Sequence, residues 1–238
     1  MKSTEEQLKA RGFVPDEAVL NYQNISDDEL INLLNSDQAA ERTLGAKLSM
    51  GRSSERLLPL LCELLENEDK LYTKLALSEA IAAYGVLSLK YLLPLLGKIG
   101  NNQHKKAALV DLNKKSSPLP RDLSARIVIR IGESALPFLE EILVTGTYAQ
   151  KCEAIDAIGH IAFNVNKYQS EESLHVLLGE QINDELIVWK IIRAFQAFPS
   201  KKVEQQLNYM IEKSENEVLK EEAKRSLRQI QKRRVRNF

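Results

Sequence analysis

The sequence predicts an all-α fold, an α-α superhelix of about five to seven helical hairpins. Three observations support this prediction. Gly (10 residues) and Pro (7 residues) are scarce among good helix formers, apolar residues recur at helical spacing, and similar segments repeat along the chain. The contents of 44% hydrophobic and 28% charged residues are typical of a folded protein, so global disorder is not expected. A length of 238 residues suits a stacked array, in which each unit contacts only its neighbours.

The repeat combines a helix-like run that ends in Gly with a Pro-containing helix. The Pro-containing copies are LLPLLCELL at Pro59, LLPLLGKIG at Pro94 and ALPFLEEIL at Pro137. The runs end at Gly51, Gly85, Gly132 and, in EAIDAIG, Gly159. The glycine spacings of 34, 47 and 27 residues show a loose period. Gly permits a helix end or a tight turn, and Pro is tolerated in the first turns of a helix.

The periodicity and the breaks between runs predict a helix map. We expect helices over residues 3–11, 15–23, 27–35, 38–50, 54–66, 70–84, 88–99, 103–114, 120–131, 134–144, 149–164, 170–181, 185–198, 201–213 and 216–233. Ser26 with Glu29, and Ser214 with Glu217, have the spacing of capping boxes. The break at 116–120 indicates a distorted repeat. We therefore expect one domain over 1–238, with capping helices in 1–36 and a basic C-terminal helix over 216–238.

Charge and cysteine content restrict the function and the location. Lys plus Arg and Asp plus Glu number 33 each, which argues against wholesale binding of a polyanion. Two basic clusters remain, one at Lys98, Lys105, Lys106, Lys114, Lys115 and Arg121, the other at Lys220, Lys224, Arg225, Arg228, Lys232, Arg233, Arg234 and Arg236. The second cluster either holds an acidic partner or phosphates, or is the solvated end of a terminal helix. The two isolated cysteines, the absence of an N-terminal signal core and the absence of a run of about 18 apolar residues predict a cytoplasmic protein without a membrane span.

The alternation of xLPxLxxLL with R/K-xxA-xxAIGxI resembles HEAT repeats, particularly the phycobilin-lyase-like subtype, over residues 37–230. This resemblance implies a HEAT-like solenoid, which is usually a binding scaffold. It also implies a ladder of acidic and basic residues along the array. Asp37 with Arg42 and Asp69 with Lys74 are similar to rungs of that ladder, and Lys151 and Lys190 are similar to later basic rungs.

In such a solenoid the second helix of each pair lines the concave groove. Trp189, with Lys190 and Arg193 near it, lies off the apolar face of the 185–198 helix, and Asp156 and His160 form a stripe one repeat earlier. Trp and Arg are enriched at binding hot spots, but a large aromatic also packs readily against an adjacent repeat. We predict a partner-binding set of Asp156, His160, Trp189, Lys190 and Arg193.

Catalytic and metal motifs are missing from the sequence. No phosphate-binding Gly loop, GxSxG elbow, HExxH or paired-Cys signature occurs. Cys152, Asp156 and His160 lie at i, i+4 and i+8, but the outer two are about 12 Å apart along a helix axis and do not share one ion. We predict no metal, no cofactor and no catalytic residue.

The leading hypothesis is therefore a non-catalytic scaffold that binds a protein or peptide in the concave groove. The alternative is nucleic-acid binding, including an enzymatic form of it, because residues 137–156 are similar to a segment of the HEAT-like alkylpurine DNA glycosylases. That similarity implies an aromatic role for Tyr148 and an acidic role for Glu153, although the family pattern has an aromatic pair and Asp. A lesser alternative is a phycobilin-lyase-like factor, which the repeat subtype alone suggests.

Overall fold

The computed structural model describes residues 3–22, 24–52, 54 and 56–236, and these residues are all-α, without strands. The α-helices are α1 Glu5–Ala10, α2 Asp16–Val19, α3 Asp27–Leu34, α4 Ala39–Leu48, α5 Leu57–Asn67, α6 Leu71–Ala83, α7 Leu89–Leu92, α8 Leu123–Ile131, α9 Leu136–Thr145, α10 Tyr148–Val165, α11 Glu171–Glu180, α12 Glu185–Phe195, α13 Lys201–Lys213 and α14 Glu217–Arg236. Short 3-10 turns occupy Leu20–Tyr22, Gly85–Ser88, Leu93–Leu95 and Gly132–Ala135. The chain divides into two compact units, Met1–Leu95 and Leu96–Phe238, and the single array over 1–238 stays a prediction.

Parts of four predicted regions lie outside the described residues. These are the capping region 1–36, the helices 15–23 and 54–66, and the C-terminal helix 216–238. The side chains of residues 235–236, including Arg236, are likewise not described. None of the described helices has both the length and the apolar composition to cross a membrane alone, and one bent pair, Leu71–Ala83 with Gly85–Leu95, meets that condition only when its parts are joined.

The first unit is built on two helical hairpins, α3 with α4 and α5 with α6. The second helices of the hairpins, α4 and α6, pack on each other, and so do the first helices, α3 and α5. Ser26 caps α3 in the predicted capping box with Glu29. Arg42 of α4 forms a 2.8 Å ion pair with the buried Glu68, and it also donates to the carbonyl of Asp37. Glu68 therefore supplies the carboxylate of this rung, where the HEAT resemblance implies Asp37.

The second unit repeats the same arrangement. Its hairpins are α9 with α10, α11 with α12, and α13 with α14, and α8 also packs on α10. The second helices contact in series, α10 with α12 and α12 with α14. α12 is buried from Leu186 to Phe195 along its whole circumference, so it has neighbours on every side. A helix enclosed in this way positions the polar groups of α10 and α14 around it.

Two predicted helices, 88–99 and 103–114, are wrong. Residues 103–114 contain no helix, and the helix expected over 88–99 is reduced to α7 with flanking 3-10 turns. α7 ends two residues before Pro94, whose ring disfavours a continued helix. In residues 103–114 tertiary contacts override helix propensity, since the main-chain carbonyls of Asp111 and Lys114 accept hydrogen bonds from Arg225 and Gln229 of α14.

The glycines that end the repeat runs have two different roles. Gly51, Gly85 and Gly132 have positive φ angles of 75°, 57° and 78°, which fits the predicted role at helix ends. Gly159 does not end a helix, because it lies inside α10. There a Cβ atom would lie 2.8 Å from both Cα and Cβ of Ala194 on α12. Gly159 is thus required by the close approach of two helices.

Ser214 does not form the predicted capping box with Glu217. It stands at the C-terminal end of α13, and Asn216 takes the capping role for α14. The Asn216 side chain accepts from the N–H of Val218 at 2.9 Å. The spacing of Ser214 and Glu217 matches a capping box, but α14 begins at Glu217, two residues later than a cap at Ser214 requires.

The same substitution at two helical glycines is expected to have opposite effects. Gly159→Ala destabilises the fold by about 1–3 kcal/mol because its methyl group overpacks the α10–α12 contact. Gly179→Ala is the control, since a Cβ at this exposed position of α11 meets nothing within 4 Å, and it stabilises by about 0.5–1 kcal/mol through helix propensity. Urea denaturation followed by circular dichroism measures both changes. Equal effects would disprove the close-approach role of Gly159.

Candidate functional site

The candidate site lies where three second helices of the second unit face an irregular part of the same unit. Five side chains of α10, α12 and α14 make this contact, and we call them the strip: His160, Trp189, Arg193, Arg225 and Gln229. They contact residues 104–118, which we call the covering segment. Ala107 and Ser117 of that segment are buried, so it packs against the helices. Three of the predicted partner-binding residues therefore belong to a strip that the chain itself covers.

The strip holds the covering segment largely by its main-chain carbonyl oxygens. The three contacts are Arg225 Nε donating to Asp111 O at 3.2 Å, Gln229 Nε2 donating to Lys114 O at 2.9 Å, and His160 Nδ1 at 3.3 Å from Pro118 O. Asp111 has a positive φ of 58°, which directs its carbonyl away from helical geometry. Contacts to main-chain carbonyls hold a segment with little regard to its side chains.

Trp189 is fully buried at the centre of the strip. His104 of the covering segment meets the indole edge-on with ring centroids 4.8 Å apart. The Arg193 guanidinium lies 4.3 Å from the centroid of the indole ring, a cation–π distance. The indole Nε1 has no hydrogen-bond partner among the described residues. Of the two interpretations that the sequence leaves open for Trp189, the structure shows the buried one, because the covering segment closes that side of α12.

Lys190 is an ammonium group sealed between α10 and α12. Its Nζ lies 2.6 Å from Asp156 Oδ2 and 3.3 Å from Glu153 Oε1, and its side chain is 0% exposed. Burial alone lowers the pKa of Lys190, but the charges of Asp156 and Glu153 outweigh burial and leave that pKa raised. A partner does not reach Lys190 in this conformation, so its predicted place on an open groove is wrong.

Glu153 is the carboxylate of this cluster that lies farther from the Lys190 ammonium group. It is 2% exposed, and its Oε2 atom has no hydrogen-bond partner among the described residues. Burial raises the pKa of Glu153 to about 7, although the charge of Lys190 opposes that rise. Lys190 lies farther from Glu153 than from Asp156, and its charge only partly offsets the effect of burial on the pKa of Glu153.

Arg193 links the strip to a second buried cluster on α14. Its guanidinium lies 3.4 Å from both Asp111 Oδ2 and Glu222 Oε2, and the residue is only 5% exposed, which contradicts its predicted exposure. Glu222 also binds Arg225 at 2.8 Å, and Arg225 donates to Gln196 Oε1 at 3.0 Å. The i, i+3 spacing of Glu222 and Arg225 was the signal in the sequence for this cluster, and sequence reasoning missed it.

Asp156 and His160 are half-buried and committed to partners within the chain. Asp156 binds Lys190, and His160 contacts the Pro118 carbonyl. Burial lowers the pKa of His160 and that of His104, the latter to about 4, so both rings are neutral near neutral pH. A cavity of about 30 Å³ lies beside these groups and has room for about two water molecules. The structure thus assembles the five predicted residues into one region.

The residues of the glycosylase alternative are not brought together. Tyr148 is half-exposed at the start of α10 and donates from its hydroxyl to Asp184 at 3.1 Å, while Glu153 points into the α10–α12 contact. The pKa of Tyr148 is raised by partial burial and then by the neighbouring Cys152 and Asp184. Burial raises the pKa of the Cys152 thiol to about 12, which keeps it protonated and unreactive. Among the described residues no three His, Cys, Asp or Glu side chains are placed to hold a metal ion.

Glu153→Gln is expected to change how stability depends on pH. In the folded protein the pKa near 7 retains a proton that the unfolded chain loses above its ordinary value of 4.5. The wild-type free energy of unfolding therefore falls relative to that of the variant as pH rises from about 4.5 to 7, by at most about 3 kcal/mol. Urea denaturation of both proteins across this range measures the difference, in which the other titrating groups cancel. A difference that stays flat or rises with pH contradicts a protonated Glu153.

Asp111→Lys is expected to lift the covering segment from the strip. The new ammonium group would replace the carboxylate that pairs with Arg193, so an attraction at this partly exposed position becomes a repulsion. Trp189 is the single tryptophan, so its emission maximum shifts to longer wavelength and acrylamide quenches it more readily. Lys105→Ala, an exposed change in the same segment, is the control and leaves both unchanged. An unaltered spectrum in Asp111→Lys would show that this carboxylate does not hold the segment.

In comparisons with known proteins, no family model, no curated protein and no solved structure matches this chain. The HEAT resemblance of the repeat pattern accordingly stays a prediction, and the structure establishes an all-α chain whose neighbouring helices pack together. Any function must therefore be inferred from the geometry of the chain's own residues.

Proposed function

We propose that the chain is a non-catalytic scaffold of HEAT-like repeats that binds a protein partner. The observation that carries this proposal is how the side chains of the strip, and those of Glu153, Asp156 and Lys190 beside it, are bound within the chain. The charged groups gathered there pair with other residues of the same chain, while the strip holds an irregular segment of the chain by its main-chain carbonyls. This is the arrangement of a framework that recognises polypeptide.

The packing order of the helices supports the HEAT-like part of the proposal. In the second unit, hairpins follow one another so that second helices contact second helices, and α9 contacts α11. Ion pairs connect successive second helices, from Glu153 and Asp156 on α10 to Lys190 on α12, and from Arg193 on α12 to Glu222 on α14. Each repeat is thereby tied to its neighbour, as expected for a solenoid.

The rival functions have less support in the same geometry. A glycosylase needs an acidic group that reaches the damaged base, and Glu153 is sealed against Lys190. Tyr148, the aromatic residue of that alternative, is held by Asp184. No feature of the described residues specifically supports the phycobilin-lyase-like alternative. The support for nucleic-acid binding is limited to the basic clusters of the second unit, since residues 96–238 contain 23 Lys and Arg against 18 Asp and Glu.

The proposal is tested by capture of a partner together with an assay for the rival activity. Immobilised wild-type protein and Glu153→Gln are each incubated with a native lysate, and we expect both to retain the same protein in stoichiometric amount, because Glu153 serves the framework and not a reaction. The recovered partner, purified separately, should bind again in isothermal titration calorimetry.

The rival activity is measured on alkylated DNA incubated with the same two proteins. We expect no release of methylated base from either. Base release by the wild-type protein that is lost in Glu153→Gln would replace the scaffold proposal with the glycosylase alternative. Failure of every captured protein to bind again in purified form would also refute the scaffold.

A further inference from the structure

A second surface of the second unit, away from the buried carboxylates, forms a groove with an excess of cations. The groove has a volume of about 640 Å³, and its lining consists of Lys115, Ser116, Phe163, Asn166, Gln229, Lys232 and Arg233. Three of these seven side chains are cations, and none is a carboxylate. The groove lies between the end of the covering segment, α10 and the last turns of α14.

Arg233 is a half-buried guanidinium without a carboxylate partner. Its terminal nitrogens donate to neutral oxygens only, those of Gln196 O, Ala197 O, Phe163 O and Asn166 Oδ1. Burial lowers the pKa of Arg233, and no carboxylate of the described residues offsets that cost. Oxygens at the C-terminal ends of α10 and α12 stabilise the guanidinium, so Arg233 contributes an uncancelled positive charge to the groove rather than free hydrogen-bond donors.

Lys115 and Lys232 add two exposed positive charges at the rim of the groove. Both are exposed and form no ion pair with the described residues. Three other basic residues of α14 form ion pairs, Lys224 with Glu221, Arg225 with Glu222 and Arg234 with Glu204. The groove differs from that part of the helix because it brings three cations together without a carboxylate in its lining.

We propose that, in the protein-binding function proposed above, this groove binds an acidic segment of the partner. Glu or Asp side chains of that segment pair with Lys115 and Lys232, and the field of Arg233 attracts them to the groove floor. Charge complementarity identifies the segment as acidic, and the volume accommodates several residues of an extended chain.

A nucleic acid fits this groove less well than an acidic peptide. Single strands are bound by aromatic side chains on which the bases stack. The one aromatic ring of the groove lining, that of Phe163, is already covered by Arg233, whose guanidinium lies 4.3 Å from the ring centroid. Three cations also give few phosphate contacts, whereas affinity for nucleic acids grows with their number.

The test uses a fluorescein-labelled decapeptide of alternating Glu and Ala, with binding followed by anisotropy at low and at physiological salt. The double variant Lys115→Glu with Lys232→Glu should weaken binding by about tenfold, since two attractions become repulsions. The matched control is Lys201→Glu with Lys213→Glu, two exposed residues of α13 outside the groove, which changes the net charge equally. We expect the control to bind within about twofold of wild type.

Other outcomes overturn the groove assignment. Equal loss in both double variants would show a general charge effect, and tighter binding of an oligothymidylate that displaces the peptide would assign the groove to nucleic acid. The test also distinguishes failure of the groove assignment from failure of the scaffold proposal. Equal capture of a partner by the wild type and by the groove double variant refutes the groove assignment alone. Peptide binding without any captured partner supports the groove assignment and refutes the scaffold proposal.

Discussion

The second unit depends on one physical constraint, the neutralisation of cations that its helices enclose. Lys190, Arg193 and Arg225 are each 5% exposed or less, and an unpaired charge at such depth costs several kcal/mol. Carboxylates meet this requirement, those of Glu153 and Asp156 on α10 for Lys190, and that of Glu222 on α14 for Arg193 and for Arg225 of its own helix. Because the pairs of Lys190 and Arg193 join successive second helices, they fix the register of α10, α12 and α14.

The same constraint accounts for the covering segment. Arg193 and Arg225 share a single carboxylate on α14, and the side chain and carbonyl of Asp111 supply further acceptors. The irregular conformation of residues 103–114 is the means by which these acceptors reach the strip. Trp189 then lies beneath His104 and beside Arg193, and the chain itself occupies the surface where a groove was expected.

Charge balance also separates framework from recognition surface. The cations of the strip are paired with Asp111 and Glu222 of the same chain. In the groove at Lys115, Lys232 and Arg233 the cations have no such partners among the described residues. A ligand of opposite charge gains most binding energy at a half-buried surface with an excess of one charge.

The sequence by itself determined the local structure. Apolar periodicity located most of the helices, including α10 and α12, and the Ser26–Glu29 spacing identified a cap, because these features depend on residues within a few positions of one another. Only the tertiary structure decided the exposure of Trp189, Lys190 and Arg193, the irregular path of residues 103–114 and the position of Gly159 inside a helix. Each of these depends on contacts between residues far apart in the chain, such as Asp111 with Arg225 and Gly159 with Ala194, and helical periodicity carries no information about such partners.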